Sequence, residues 1–449
     1  MADHLCVLVH GLWGNPNHLR NVAKVLREKY SEDKLHILVS KRNSGSFTYD
    51  GIELGGQRVC QEIEEELKRL SESGQAVKKL SMVGYSLGGL VGRYTVGLLE
   101  SRGFFDHIEA INFTTISTPH LGVRSPNRAV ISHIFNVLGP QMLSMSGKQL
   151  FMVDNFRETG RPILEVMSDP NSIFINGLRR FKRHSLYANI VNDRTAPFFT
   201  TGISKIDPFV DLKAVDIGYI DGYEDVILDP THPFSPKQKK ILTLFSKLKL
   251  DASYFFGNLH IFVLIALLIP IGTLAFLINA GIQTIRSSSR IRLHESGLAG
   301  IDPSSYRTPF LMDIREAVED AYGNLNNAQS QEYLSTAPSA TESEDESNVN
   351  GRSKISNDAA EKPTRSATYT SAGANSSSDP SPKGIPTLAL TPEQFTMIRN
   401  LDSVGWRKYF VHIHKQRHSH AAIIVRKDRE DFSEGYVVLR HWLDEFLME

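Results

Sequence analysis

The sequence predicts an α/β fold, a mostly parallel sheet with helices on its faces. Three observations carry that expectation. Short apolar runs alternate with segments whose apolar residues recur at helical spacing, the pattern of βαβ units. One such run, Lys79 to Val83, leads straight into Gly84-Tyr85-Ser86-Leu87-Gly88 and then a helix. A glycine-flanked serine on a sharp strand-to-helix turn fits the nucleophile elbow of the α/β-hydrolase fold. Composition agrees: 449 residues, 41% hydrophobic and 22% charged, are enough for one large domain or two ordinary ones. Lys+Arg and Asp+Glu number 50 each, so no global field argues for nucleic acid as a partner.

Taken in order, His4 to His10 reads as a buried strand that ends in His10-Gly11-Leu12-Trp13-Gly14. Leu19, Val22, Leu26 and Tyr30 follow at helical spacing, and Leu35 to Val39 is a second strand. Val59, Ile63, Leu67 and Leu70 mark an amphipathic helix with a charged, solvated outer face. The third strand and the elbow helix come next, then a fourth strand over Ile108 to Ile116. From Ala129 to Phe156 apolar residues crowd together, Met142, Met145 and Met152 among them. A helical cap over an acyl-binding cleft would use such adaptable side chains, and ordinary buried helices explain them equally well. Leu186 to Val191 is a fifth strand, ending at Asn192-Asp193-Arg194-Thr195. Cys6 and Cys60 are the only cysteines and Cys6 lies in an apolar run, which suits a reducing compartment without a disulfide framework. Leu5 to Val9 is too short for the apolar core of a secretory signal.

Two stretches break this rhythm. Ile261 to Ala280 is twenty residues without a charge, about the length of a membrane segment, with basic residues on both sides. Pro270 and Gly272 near its middle make a bend there easy, so the expectation is a hairpin that enters the lipid from the cytoplasmic side and returns. A single crossing would separate Ser86 from any base that follows the segment. Asn326 to Lys383 is rich in Ser, Thr, Asn, Ala and Glu and poor in apolar residues, the composition of a disordered linker. Thr391-Pro392-Glu393 then opens a helix, Trp406 to Ile413 is a last strand, and a closing helix runs through Trp442 and Phe446.

A serine hydroxyl needs a base to take its proton, and the base needs a carboxylate to fix its tautomer and stabilise its charge. In α/β-hydrolases the three occur in the order serine, acid, histidine. Ser86 is the candidate nucleophile and Asp193, directly after a later strand, the candidate acid; His418 and His420 both qualify as base by position. Backbone donors for an oxyanion are expected from Leu87, after the nucleophile, and from Leu12 in the glycine-flanked loop. No motif matches a metal site, and this chemistry requires neither metal nor cofactor.

These residues carry a family resemblance. HGLWGNP at His10 to Pro16, DGIE at Asp50 to Glu53, MVGYSLGGLVGRY at Met82 to Tyr94 and TPHLGV at Thr118 to Val123 belong to it. NDRTAPF at Asn192 to Phe198, DPF at Asp207 to Phe209 and HSHAAIIVR at His418 to Arg426 complete the set. The chain resembles the serine-esterase lipases of the α/β-hydrolase superfamily, and among them the fungal phospholipases of lipid droplets. The resemblance spans about 250 N-terminal residues and the last 60 or so. It places the base at His420, which two small residues and an apolar run follow. It implies hydrolysis of acyl esters of glycerophospholipids at a lipid-droplet or endoplasmic reticulum surface, with the catalytic domain facing the cytosol. Relatives with the same motifs resemble monoacylglycerol lipases, so that substrate is the alternative. A non-catalytic lipid-surface scaffold is a third reading, and the intact Ser86, Asp193 and His420 argue against it.

The expected layout is therefore a hydrolase core over 1–250, with a cap near 124–185, and a membrane hairpin over 255–285. An amphipathic connecting segment over 286–325 and a disordered linker over 326–388 follow. Residues 389–449 complete the core and bring the histidine.

Overall fold

The computed structural model describes residues 2–124, 139–141, 143–193, 195–237, 259–299 and 387–449, with backbone alone over 259–276. Six parallel strands form the central sheet: β1 (His4–Val9), β2 (His36–Val39), β3 (Lys79–Tyr85), β4 (Glu109–Ile116), β5 (Arg183–Asn189) and β8 (Arg407–Val411). Their order is β2-β1-β3-β4-β5-β8. Two further three-residue strands, β6 (Val215–Ile217) and β7 (Phe234–Pro236), pair antiparallel beside it. The chain has the α/β-hydrolase fold.

The inner strands are buried almost throughout because both faces of the sheet are covered. Strand β1 shows how alternation divides its residues. Leu5, Val7 and Val9 enter one core, while Cys6 and Leu8 enter the other. Helices α2 (Ile52–Glu72) and α3 (Leu87–Ser101) fill the first core through Val59, Ile63, Leu90 and Tyr94. Helix α1 (Arg20–Lys29) and the closing helix Glu434–Asp444 fill the second through Val22, Leu26, Leu439 and Trp442. Cys6 and Cys60 are buried free thiols.

The last strand completes the sheet from the far end of the sequence. Strand β8 pairs with β5 from Ser185↔Arg407 to Asn189↔Val411. On its other side Leu228 N–H donates to Phe410 C=O (2.9 Å) and His412 N–H to Val226 C=O (2.8 Å), so the edge is covered. Trp442 anchors the closing helix, donating from Nε1 to Thr114 Oγ1 (3.2 Å). Strand β8 and the closing helix thus belong to the same sheet and core as the N-terminal strands.

Within the proposed cap region, helix Ile173–Arg179 packs on α3, with Gly177 against the Val96 carbonyl. Helix Ser144–Leu150 docks on residues 45–52. Residues 125–138, and all of the proposed linker but its last two residues, lie outside the described residues.

The expected hairpin is corrected. Leu259–Glu295 is one continuous helix of 37 residues that runs through Pro270 and Gly272 without reversing. A helix proline removes one hydrogen bond and kinks the axis, whereas reversal requires non-helical residues that this stretch does not have. Its C-terminal part, which the sequence reading assigned to a connecting segment, docks on the core. Ser287 Oγ donates to Tyr49 C=O (3.3 Å), Arg290 pairs with Asp50, and His294 bonds Gln57. Among the residues described with their side chains, no helix is long and apolar enough to cross a membrane.

A buried histidine makes this fold acid-sensitive. His4 is fully buried, with Nε2 2.8 Å from Ser81 Oγ. Burial, helped by the nearby Lys79 charge, lowers its pKa to about 4. In the unfolded chain a histidine titrates near 6.5, so the unfolded state binds the proton first. The stabilisation is complete above pH 6.5 and is lost as pH falls toward 4. Thermal unfolding should show wild type losing on the order of 2 kcal/mol from this residue between pH 7 and 4.5. His4→Gln should flatten that part of the curve.

Candidate active site

The elbow is set by packing that excludes side chains. A Cβ on Gly84 would lie 2.3 Å from Gly89 Cα, and one on Gly88 would lie 2.2 Å from the Val9 carbonyl oxygen. The strand and the helix can therefore approach only through glycine. Ser86 between them has φ 55° and ψ −128°, a sparsely populated conformation for a residue with a side chain, at a cost of about 1–3 kcal/mol. Its N–H is held by the Ile116 carbonyl (2.9 Å) and helix α3 starts at the next residue.

The structure brings three of the expected residues into one hydrogen-bonded chain. Ser86 Oγ lies 3.0 Å from His420 Nε2, and His420 Nδ1 lies 2.8 Å from Asp193 Oδ2. An ionised carboxylate only accepts, so the Nδ1 proton is donated to Asp193 and Nε2 is left to accept from Ser86. His420 sits in the short helix Ser419–Ala422 after β8, and Ser419 Oγ ties that helix to the Val191 carbonyl (2.8 Å). His418 is exposed and lies outside the chain of bonds. Geometry and family motif thus select the same histidine.

Asp193 is pre-ionised by its surroundings. Its Oδ1 accepts from the N–H groups of Thr195 (3.1 Å) and Ala196 (2.9 Å), and Oδ2 accepts from Asn189 Nδ2 (3.1 Å). Burial works against the charged form. The His420 charge, and hydrogen bonds from His420, Ala196 and Asn189, more than offset it and hold the carboxyl below the ordinary carboxylate range. At neutral pH the carboxylate can orient the imidazole and stabilise its protonated form.

The two expected backbone donors belong to segments that adjoin Ser86. Leu87 opens helix α3, so its N–H is one of the helix's unpaired first-turn donors. Leu12 follows Gly11, which packs on the serine: a Cβ there would stand 2.6 Å from Ser86 Cβ and 3.1 Å from Oγ. The turn is closed by Gly14 N–H donating to the Gly11 carbonyl (3.0 Å).

Several neighbours had no place in the sequence reading. Tyr85 donates its hydroxyl to the His420 carbonyl (2.9 Å), and its ring centroid lies 5.1 Å from that of His420. Asn189, which orients Asp193, also donates to Ser117 Oγ (3.0 Å). A polar residue inside the apolar β5 run was its only available signal. Trp13 has φ 54° and is held by Thr48 and Tyr49, thirty-five and thirty-six residues away, and no local pattern announces that. Among the described residues, no group of three or more His, Cys, Asp or Glu side chains could hold a metal ion.

Residues 1–206 match the family described as "Putative serine esterase (DUF676)". The chain is 30% identical over 213 residues to "Putative lipase ROG1" of Saccharomyces cerevisiae, a match covering 45% of this chain and 29% of that protein. It is 30% identical over 207 residues to "Putative lipase C4A8.10" of Schizosaccharomyces pombe, covering 45% and 26%. The chain thus spans less than a third of the length of these curated relatives. Among solved structures it is similar to a lipase-esterase related protein from Clostridium acetobutylicum, at 12% identity and a TM-score of 0.27, covering 44% of this chain and 79% of that one. Over the region that matches the serine-esterase family, the chain is similar to these fungal proteins named as lipases.

Proposed function

We propose that this chain is a serine hydrolase that cleaves acyl esters of glycerophospholipids at a lipid-droplet or endoplasmic reticulum surface. The hydrogen-bonded chain from Ser86 through His420 to Asp193 carries the reading. Ser86 attacks the ester carbonyl as His420 takes its proton, and the N–H groups of Leu12 and Leu87 receive the oxyanion. His420 returns the proton to the leaving glycerol oxygen. A water, activated by the same imidazole, then releases the fatty acid and restores Ser86.

Exposed apolar side chains support a lipid surface as the place of action. Trp13, two residues after the Gly11 that packs on Ser86, is 49% exposed and Phe47 is 42% exposed. Ile278, Ile282 and Ile285, four and three residues apart, expose one stripe of the long helix. That stripe extends the uncharged run Ile261 to Ala280.

The test is fatty acid release by the purified chain from phosphatidylcholine vesicles and from monoacylglycerol micelles, normalised to sites labelled by a fluorophosphonate. The phospholipid should be turned over at least about tenfold faster per site. Preference for monoacylglycerol would replace the phospholipase reading with that of a monoacylglycerol or carboxylester lipase. The location is tested separately, by tagged protein in lipid-droplet and microsomal fractions, with both tags reachable from the cytosol. Recovery in the soluble fraction alone would overturn it.

A further inference from the structure

Asp50 takes no part in the hydrogen-bonded chain at Ser86, yet it is the most enclosed ion pair in the molecule's described part: its side chain is 0% exposed. Arg58 donates to it from Nη2 (2.8 Å), and Arg290 from Nε and Nη2 (2.7–3.0 Å). Arg290 Nη2 also donates to the Ser46 carbonyl (2.9 Å). Ser287, one turn earlier on the same helix, donates to the Tyr49 carbonyl (3.3 Å). The helix that carries the apolar run is thereby fastened to residues 46–50.

Those residues are fastened on their other side to the turn beside Ser86. Thr48 Oγ1 accepts from Trp13 N–H (3.1 Å), and Tyr49 OH accepts from Trp13 Nε1 (2.7 Å). Gly45 N–H donates to the Gly14 carbonyl (2.8 Å). All three bonds land on Trp13 or Gly14, inside the turn that presents Leu12. Trp13, with a side chain and φ 54°, would relax to a commoner conformation without them.

We propose that Asp50, Arg290 and Tyr49 are positioning residues, which hold the Gly11–Gly14 turn so that the Leu12 N–H faces the reacting oxygen and couple it to the seating of helix Leu259–Glu295. The inference rests on the reading of Ser86 as nucleophile. It assigns the aspartate of the DGIE motif a role in rate. Loosening the helix releases Ser46 and Tyr49, the loop gives up Trp13, and the oxyanion donor is misplaced while the substrate site keeps its shape.

The test uses the full chain, a soluble short-chain p-nitrophenyl ester, and a fluorophosphonate titration that counts competent sites. Arg290→Gln leaves Asp50 paired with Arg58, and Tyr49→Phe leaves the ring in place. Each should lower kcat per labelled site about tenfold, part of the 10²–10³ that loss of an oxyanion donor brings, with KM within about twofold. Arg290→Lys should recover part of the rate. The Arg290→Gln/Tyr49→Phe double variant should be much less than multiplicative, since both act through one turn. Unchanged kcat per labelled site, or a fully multiplicative double variant, would overturn the coupling and leave the clamp a structural ion pair. If wild type neither hydrolyses the ester nor labels at Ser86, the functional reading fails, and this inference with it. If Arg290→Gln does not fold, Arg290→Lys takes its place with Tyr49→Phe: a sub-multiplicative pair is expected, and unchanged kcat per labelled site or a fully multiplicative pair overturns the coupling.

Discussion

Replacing Ser86 by alanine should lower kcat for ester hydrolysis by on the order of 10³-fold or more, with the fold retained. The substitution removes the only atom that can form the acyl-enzyme bond and leaves the oxyanion donors in place. It also removes the hydroxyl that Nε2 of His420 engages at 3.0 Å. Circular dichroism and the thermal midpoint should stay near those of wild type, because alanine fits the enclosed space around Ser86. Fluorophosphonate labelling should vanish in parallel. Activity within tenfold of wild type, with contaminating esterases excluded, would remove Ser86 from the mechanism.

The second large effect belongs to the pair behind the serine. His420→Ala should match Ser86→Ala, because the members of such a unit are not additive and losing the base disables the nucleophile. Asp193→Asn should lower kcat about 10⁴-fold, since an amide can donate to Nδ1 and stabilise the wrong tautomer. It also places an amide where Oδ1 now accepts two backbone N–H groups, at Thr195 and Ala196. His418→Ala should stay within a few-fold of wild type, since that side chain is exposed to solvent. A reversed pair of histidine phenotypes would displace the base by two positions.

How much of this was legible in the sequence follows from the range of the interactions. Each strand of the covered sheet leaves a short apolar-rich stretch in the sequence, so all six could be located, β1 and β4 nearly to the residue. The elbow was legible because the collisions that demand Gly84 and Gly88 leave glycines in the sequence. Asp193 could be placed because it follows a strand of that sheet; position left His418 and His420 both open as the base, and the family resemblance chose His420. Strands β6 and β7 are three residues each, too short to leave a periodicity. The clamp at Asp50 joins residues 240 apart in sequence, and neither partner is unusual locally. Pro270 was read as a reversal because a lone proline signals a break, whereas a long apolar helix absorbs it as a local defect.

The late arrival of β8 has a consequence for the growing chain on the ribosome. Roughly 220 residues separate the end of β5 from the start of β8. At about 5–20 residues per second, they take roughly 10–40 s to synthesise. Throughout that interval β5 offers an unpaired backbone row, and the serine has no base. Until β8 arrives, that row is a ready template for pairing with another chain. On the proposed mechanism the emerging polypeptide is also chemically silent, because translation must deliver His420 before a single ester can be cut.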